Sequence, residues 1–322
     1  MIYMGQDFRV SAHDDGRRID RIIRKKWPDL PLSAIMRSFR KGMVKVDGRR
    51  VDFSSRVASG NCVSVPWDDP EAGSGKDALA RFRDSRPEIE IIYADNDICI
   101  VNKPWNLLSQ PDTAGGESVI SRTAAALDWK DTTFMPTPVH RLDRNTSGAM
   151  VLALNGVALR GLHEAWRRDG VRKTYLALVS GETPDQGRID SPLLKTGEEN
   201  IVGVDTDRGR YALTRFEKIN GDPSLSLLLV ELLTGRSHQA RVHLASIGHP
   251  LIGDIKYGDR KVNAEWRLLG VQRPMLHSRS IEFRSLPDPL GHLAGKRFLA
   301  VPPSDFMNIL SGRGWRLYNR GV

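Results

Sequence analysis

The residues with the clearest chemical potential lie at His140-Arg141-Leu142-Asp143-Arg144, followed by Asn145-Thr146-Ser147-Gly148. One carboxylate stands between two arginines in a polar loop, and the short apolar run 149–154 follows it directly. A charged turn of this kind is ordinarily a solvated salt bridge that contributes little. It also suits a site that must keep one buried acid ionised, because a nearby guanidinium favours the charged carboxylate while burial opposes it. Three further segments share the style of a basic residue set beside glycine or an aromatic at a strand end or helix start. They are Val101-Asn102-Lys103-Pro104-Trp105-Asn106-Leu107, Arg172-Lys173-Thr174-Tyr175-Leu176-Ala177-Leu178, and the long stretch Leu232-Leu233-Thr234-Gly235-Arg236-Ser237-His238-Gln239 on to Leu244, continued by 248–258. In the last, Gly235 is expected to turn the backbone into a helix with Arg236 at the turn. From there Arg236 can bind a carboxylate in bidentate geometry. His238 and His243 are five apart, which disfavours the helical zinc pattern of histidines four apart and leaves them as core hydrogen-bonding groups. Alternation places Lys173, Tyr175 and Ala177 on one face of a strand.

The elements that position these groups can be read from periodicity and punctuation. Residues 17–27 are expected to be helical, with Ile19, Ile22 and Ile23 on one side. A second helix carries Ile35, Met36 and Phe39 inward, with Ser33 as N-cap and Gly42 as its stop. A hairpin about Asp47-Gly48 and a strand at 62–65 complete a small α+β module. Residues 67–88 read as a linker rich in Pro, Gly and charge, interrupted by a weak helical stretch at 78–83. From residue 89 onward, strands are expected at 89–93, 98–102, 149–154, 174–180, 212–219, 225–233, 276–284 and 297–301. Helices are expected at 117–128, 157–168 and 237–247, with a short one at the C-terminus. Consecutive strands with few helical crossovers indicate an α+β fold with a mixed, mostly antiparallel sheet. The organisation read is 1–66 as a small basic module, 67–88 as linker and 89–322 as the domain that holds all four segments.

Composition narrows the class. The 322 residues carry a formal charge of +9, and residues 1–66 hold 14 Lys and Arg against 7 acidic residues, most of the excess in a fifth of the length. Such asymmetry points to a polyanion partner, with Arg37, Arg40 and Lys41 projecting from the second helix. No run of about 18 apolar residues suggests a membrane span. The first residues lack the basic-then-apolar pattern of a signal peptide. Cys62 and Cys99 sit in apolar runs, fit a reducing cytoplasm and leave no cysteine-based zinc site. A monomer is the working expectation.

On His-Arg-Leu-Asp-Arg-x-Thr-Ser-Gly and Thr-Gly-Arg-x-His-Gln-x-Arg-x-His-Leu, the chain resembles the RNA pseudouridine synthases of the A/C/D type that act on the large ribosomal RNA. Residues 158–164 and 191–195 look closest to the C-type branch, and residues 16–66 are similar to the S-four-type RNA-binding domain that precedes the catalytic domain in many members. The resemblance implies isomerisation of specific uridines to pseudouridine, in 23S (large-subunit) ribosomal RNA, with no metal and no organic cofactor. It also implies that Asp143 is the catalytic aspartate, Arg236 its partner arginine and Tyr175 the ring that packs against the base. Leu251 would close the pocket, and Arg144 would fill the gap left by the flipped uridine. Arg141, Lys173 and His140 join Arg144 and Leu251 as expected substrate-binding residues. The loop Trp105-Asn106-Leu107 departs from the Gly-Leu usual after the proline, Asn145 stands where an acid is common, and Ala240 where a larger aliphatic is common. Two other readings keep the fold and RNA as partner: a non-catalytic ribosome-assembly factor, or a synthase acting on tRNA. A hydrolytic glycosidase is disfavoured, since such enzymes pair two carboxylates and Asp143 has only arginines in its own segment.

Overall fold

The structure, a computed structural model, describes residues 5–67, 87–112, 116–131, 133–196 and 201–317. Most of 67–88, with the helical stretch expected at 78–83, lies outside the described residues.

The N-terminal unit is built from β1 (Gln6–Arg9), α1 (Ile19–Lys26), α2 (Leu32–Arg40), β2 (Lys45–Val46), β3 (Arg49–Arg50) and β4 (Cys62–Val65). Its antiparallel sheet has the order β1-β4-β2-β3. Ile19, Ile22 and Ile23 of α1 recur on one helical stripe and pack with Ile35, Phe39, Val44, Val63 and Val65 into a core of their own. The opposite stripe leaves Arg21, Arg24, Arg37 and Arg40 exposed. Ser33 does not cap α2: the helix begins at Leu32 after Pro31, whose ring already fixes φ at −58°. Gly42 does end it, at φ +65°, and Asp47 and Gly48 take the two positive φ angles of a tight hairpin turn.

This unit is seated against the rest of the chain. Asp14 is buried, accepting from the Arg17 guanidinium and from the Thr133 hydroxyl. Arg17 also donates to the Thr133 carbonyl at 2.8 Å, and the His13 ring lies 4.6 Å from Trp129. A buried charge with its acceptor sites filled is costly to pull apart, so these contacts fix the seating.

The larger sheet takes in β5 (Glu90–Ala94), β6 (Ile98–Lys103), β7 (Thr137–Pro138), β8 (Ser147–Ala153), β9 (Val171–Ser180), β10 (Gln186–Asp190), β13 (Leu213–Asp222), β14 (Leu225–Leu232), β15 (Leu276–Phe283) and β16 (Arg297–Leu299). Its central path runs β10-β13-β14-β9-β15-β8-β6-β5, antiparallel except where β15 meets β8. A separate hairpin is formed by β11 (Leu193–Thr196) and β12 (Ile201–Val204). Helices α3 (Val119–Ala126), α4 (Gly156–Arg167), α5 (Gln239–Ser246), α6 (Arg260–Leu268) and α7 (Ser304–Gly312) complete the order. The mixed, mostly antiparallel sheet is the one expected. Strands β7 and β10 to β12 and helix α6 were not foreseen. The strands are short, and α6 is mostly polar, announced chiefly by Asp259, whose carboxylate caps the amides of Lys261 and Val262.

Every residue of β8 is buried. Met150 and Leu152 enter a core with Leu107, Leu142, Tyr175, Val230 and Leu251, while Ala149 and Val151 enter another with Leu162 of α4. A strand covered on both faces loses its polar alternation, and this one reads as a continuous apolar run. At its start, Gly148 has φ +116° and sits so close to β15 that a Cβ would stand 2.2 Å from the Ser278 carbonyl oxygen. Glycine is required there, and that close approach brings the loop ending at residue 147 against β15.

Candidate active site

The Asp143 loop is held from beneath by its backbone. Asp143 O accepts from Thr146 N at 3.0 Å, closing a turn. Leu142 is buried, and its amide and carbonyl both bond to the Ser109 hydroxyl, at 3.1 and 2.7 Å. Two buried cations take up the next carbonyls. Lys103, 0% exposed at the end of β6, donates to the carbonyls of Pro104, Arg144 and Thr146 at 2.9 to 3.0 Å. Arg273 reaches the Asn145 carbonyl at 3.3 Å and is itself held by Asp305 of α7 at 2.7 Å. Desolvation by burial lowers the Lys103 ammonium to about 7, with Asp143 pulling it up and Arg273 pushing it down. With its backbone fixed in this way, the loop presents the Asp143 side chain, about a quarter exposed, on its outer side.

The cation that meets Asp143 is Arg241, in α5. Its Nη1 lies 3.4 Å from Asp143 Oδ2, while Nε and Nη2 make a bidentate pair with Asp254 at 2.7 and 2.8 Å. Asp254 is fully buried and also accepts from the amides of Lys256 and Tyr257 at 3.0 and 3.2 Å. The planar fork of arginine is therefore locked by one carboxylate and offered to another. Arg236 does not take the place expected for it: it is exposed, and its Nε donates to the Tyr211 carbonyl at 2.9 Å. The reason is local. The helix starts only at Gln239, because the Gln239 side chain accepts from Thr234 and from Arg236 N and ties residues 234–236 into a turn. The residue with left-handed backbone is His238, at φ +53°, not Gly235.

His238 corrects a second expectation. Rather than a core group, it stands over the site, Nε2 3.9 Å from Asp143 Oδ2 and Nδ1 2.7 Å from the Tyr257 hydroxyl. His243 is a core group, bonded to Thr214 Oγ1 and the Ser191 carbonyl. Tyr175 is buried in the core that holds Leu142 and Leu251. Burial raises its hydroxyl to about 12, opposed by a hydrogen bond with Ser278 and reinforced by the negative charge of Asp143. Leu251, 1% exposed, is bridged to Val179 and joins the same apolar floor.

The remaining expected residues separate into two groups. Arg144 and Arg141 are exposed; the Arg144 Nε donates to Asn106 Oδ1 at 3.0 Å, and Asn106 needs φ +60° to offer it. His140 and Lys173 point elsewhere. The His140 Nε2 accepts from Val151 N at 3.1 Å, its ring stacks on Trp166 at 5.1 Å, and burial pushes it down to about 3, so it is a neutral packing group. Lys173 is half-buried; desolvation lowers its pKa against the pull of Asp169, and its own charge helps to keep His140 neutral. The residues missed were Arg241, Asp254, His238 and Tyr257. The first lies five residues from Arg236 in the same segment, and no local spacing separates the two, because His238 ahead of the helix takes a left-handed backbone. Among the described residues no cluster of His, Cys, Asp and Glu could hold a metal.

A partly open carboxylate held by an arginine thus stands near an aromatic and aliphatic floor on a mixed sheet. Comparison with known proteins gives the family. The sequence model of the family described as RNA pseudouridylate synthase matches residues 97–246. The chain is similar to the ribosomal large subunit pseudouridine synthase C of Vibrio vulnificus, 35% identical over 273 residues covering 83% of this chain and 85% of that one. The protein of the same description from Pasteurella multocida is 34% identical over 284 residues, 85% of this chain and 84% of that one. In solved structures the fold is similar to human RNA pseudouridylate synthase domain containing 4, with TM-score 0.58 and 21% identity over 71% of this chain and 95% of that one. The chain belongs to the RNA pseudouridylate synthase family and is an enzyme of the isomerase class.

Proposed function

We propose that this enzyme converts specific uridines of large-subunit ribosomal RNA to pseudouridine, with Asp143 as its catalytic carboxylate and Arg241 as the partner that fixes it. In that reaction the bond from ribose carbon 1′ to the base nitrogen breaks and the base rotates. The same sugar carbon then bonds to carbon 5 of the base, which releases its proton as the nitrogen gains one. The observation that carries the reading is the asymmetry of the two acids around Arg241. Asp254 is fully buried and doubly bonded, whereas Asp143 is partly open. Hydrolytic glycosidases use two working carboxylates; isomerisation uses one and activates no water. Tyr175 and Leu251 supply the floor for the base, and Arg144, which is exposed, can enter the emptied stack.

Residues 1–66 serve in this reading as the RNA-binding module ahead of the catalytic domain 89–322. Arg37, Arg40 and Lys41 are exposed and carry no ion pair among the described residues, which is the state of cations kept for phosphates. The relatives bear a ribosomal name, and no described helix is long and apolar enough to cross a membrane. We infer a cytoplasmic monomer acting on ribosomal RNA.

The test is release of tritium from unmodified large-subunit rRNA labelled at uridine carbon 5, followed by mapping of the modified position. Release is expected with the wild type and is expected to vanish in Asp143→Ala. Release from tRNA alone would move the substrate to tRNA, and no release from either RNA would reject the reading.

A further inference from the structure

Between His238 and Asp143 lies a gap with a defined polarity. The Tyr257 hydroxyl already accepts from Val202 N at 3.0 Å, and it has one proton of its own to give. The partner within reach for that proton is His238 Nδ1, at 2.7 Å. The proton inventory therefore assigns Nδ1 as acceptor and leaves the hydrogen of the neutral ring on Nε2. Desolvation lowers the pKa of His238, against the pull of Asp143, and keeps the ring neutral. That Nε2–H lies 3.9 Å from Asp143 Oδ2, too far for a direct hydrogen bond. An oxygen about 2.8 Å from each atom closes the triangle. It must accept from Nε2–H and donate to a carboxylate, and among common ligand groups a hydroxyl does both. The backbone is set to hold this arrangement, since His238 keeps a left-handed conformation uncommon outside glycine.

We propose that this gap is the seat of the ribose 2′-hydroxyl of the target uridine, with His238 donating to it and Asp143 accepting from it. The proposal rests on the reading of Asp143 as the catalytic carboxylate. It makes His238 a substrate-contacting residue that distinguishes ribose from deoxyribose, the difference that separates RNA from DNA at a site. Tyr257 is the positioning residue that fixes the tautomer.

The test uses hairpins spanning the mapped position. Two carry pseudouridine at that position, one with ribose and one with 2′-deoxyribose; both bind without turning over, so dissociation constants are read directly. The wild type is expected to prefer the ribose form about tenfold, the worth of one or two hydrogen bonds. His238→Ala and His238→Gly are expected to bring the ratio to about threefold or less. His238→Gly removes the side chain while easing the backbone, so a fault in folding does not explain the same result in both. His238→Gln, whose amide nitrogen also donates, is expected to retain most of the ratio. An undiminished ratio in both the Ala and Gly variants, or no ratio in the wild type, overturns the assignment. The matching uridine hairpin separates the two claims: if the wild type releases no tritium from it, the reading of Asp143 fails, whereas release together with an unchanged ratio sinks the hydroxyl seat alone.

Discussion

Arg37, Arg40 and Lys41, on α2 and at its end, stand exposed with no ion pair among the described residues, whereas Lys103, Arg241 and Arg273 are buried, or nearly so, and saturated with oxygen partners around one loop. The two regions use the same charge for opposite ends. An exposed cation is strongly screened and holds no geometry, but it can trade its counterions for phosphates and so adds affinity. A buried cation costs desolvation and is kept only where hydrogen bonds repay it. Here those bonds run to three successive carbonyls, of Arg144, Asn145 and Thr146, and to the carboxylates of Asp143 and Asp254. In the proposed reading, positive charge in the N-terminal unit is therefore there to hold RNA, whereas around Asp143 it holds the backbone and carboxylates in position.

The sharpest way to break this contrast is to remove Arg241. Arg241→Met is expected to lower the rate of tritium release by about 10²–10³-fold, the usual worth of a preorganised charged donor in a site. It should also destabilise the fold by about 3–5 kcal/mol, because Asp254 is left buried without its partner. The double variant Arg241→Met/Asp254→Leu is expected to recover the thermal midpoint but not the rate. Recovery of both would reduce Arg241 to a packing residue.

Lys103 gives the next largest effect, and its sign can be worked out. Its ammonium has three hydrogens for three carbonyls, and burial has brought its pKa to about 7. Raising pH through that value removes one donor from the loop, so turnover should decline on the alkaline side with a midpoint near 7. Stability should move the other way. Between about 7 and the ordinary lysine value of 10.5, the unfolded chain binds the proton and the folded one does not, so this group makes unfolding less favourable as pH rises. In Lys103→Met, which keeps the stem but not the donors, turnover should be low at every pH and that alkaline limb absent. The same limb persisting in the variant would assign it to another group.

In the N-terminal unit the readout is salt. Replacing Arg37, Arg40 and Lys41 together by Ala should weaken rRNA binding and reduce the slope of log affinity against log salt by about 2–3, one contact per lost cation. Arg241→Met should leave that slope as in the wild type. A changed slope in the Arg241 variant with none in the triple variant would reverse the roles of the two regions.

The same contrast explains what could be read in the chain. The β8 run, the glycine stop at residue 42 and the Asp47-Gly48 hairpin are local signals, and the structure has them all. The polar loop abutting a fully apolar strand drew attention to Asp143, but its expected role came from the resemblance and not from that local pattern. Which arginine answers it was not legible, because that depends on where α5 begins, and Gln239 is anchored there by bonds to Leu213 and Thr214 that no short window contains. His140 misled for the opposite reason: adjacency in sequence put it beside Asp143, but its ring is turned to Val151 and Trp166.

Arg236 offers the smallest and most discriminating effect. It lies five residues from Arg241 and in the same polar segment, so a general loss of positive charge there would affect both variants alike. Its side chain makes a hydrogen bond to the Tyr211 carbonyl in exposed surroundings, and its amide, which does bind Gln239, survives any substitution but proline. An exposed neutral acceptor that loses such a donor turns to water, so the cost is small. Arg236→Ala is therefore expected to keep the rate of tritium release within about threefold of wild type and the thermal midpoint nearly unchanged. A fall comparable to that of Arg241→Met would mean that Arg236 swings onto Asp143 when RNA is bound, and the ion pair at 3.4 Å would then belong to the free enzyme alone.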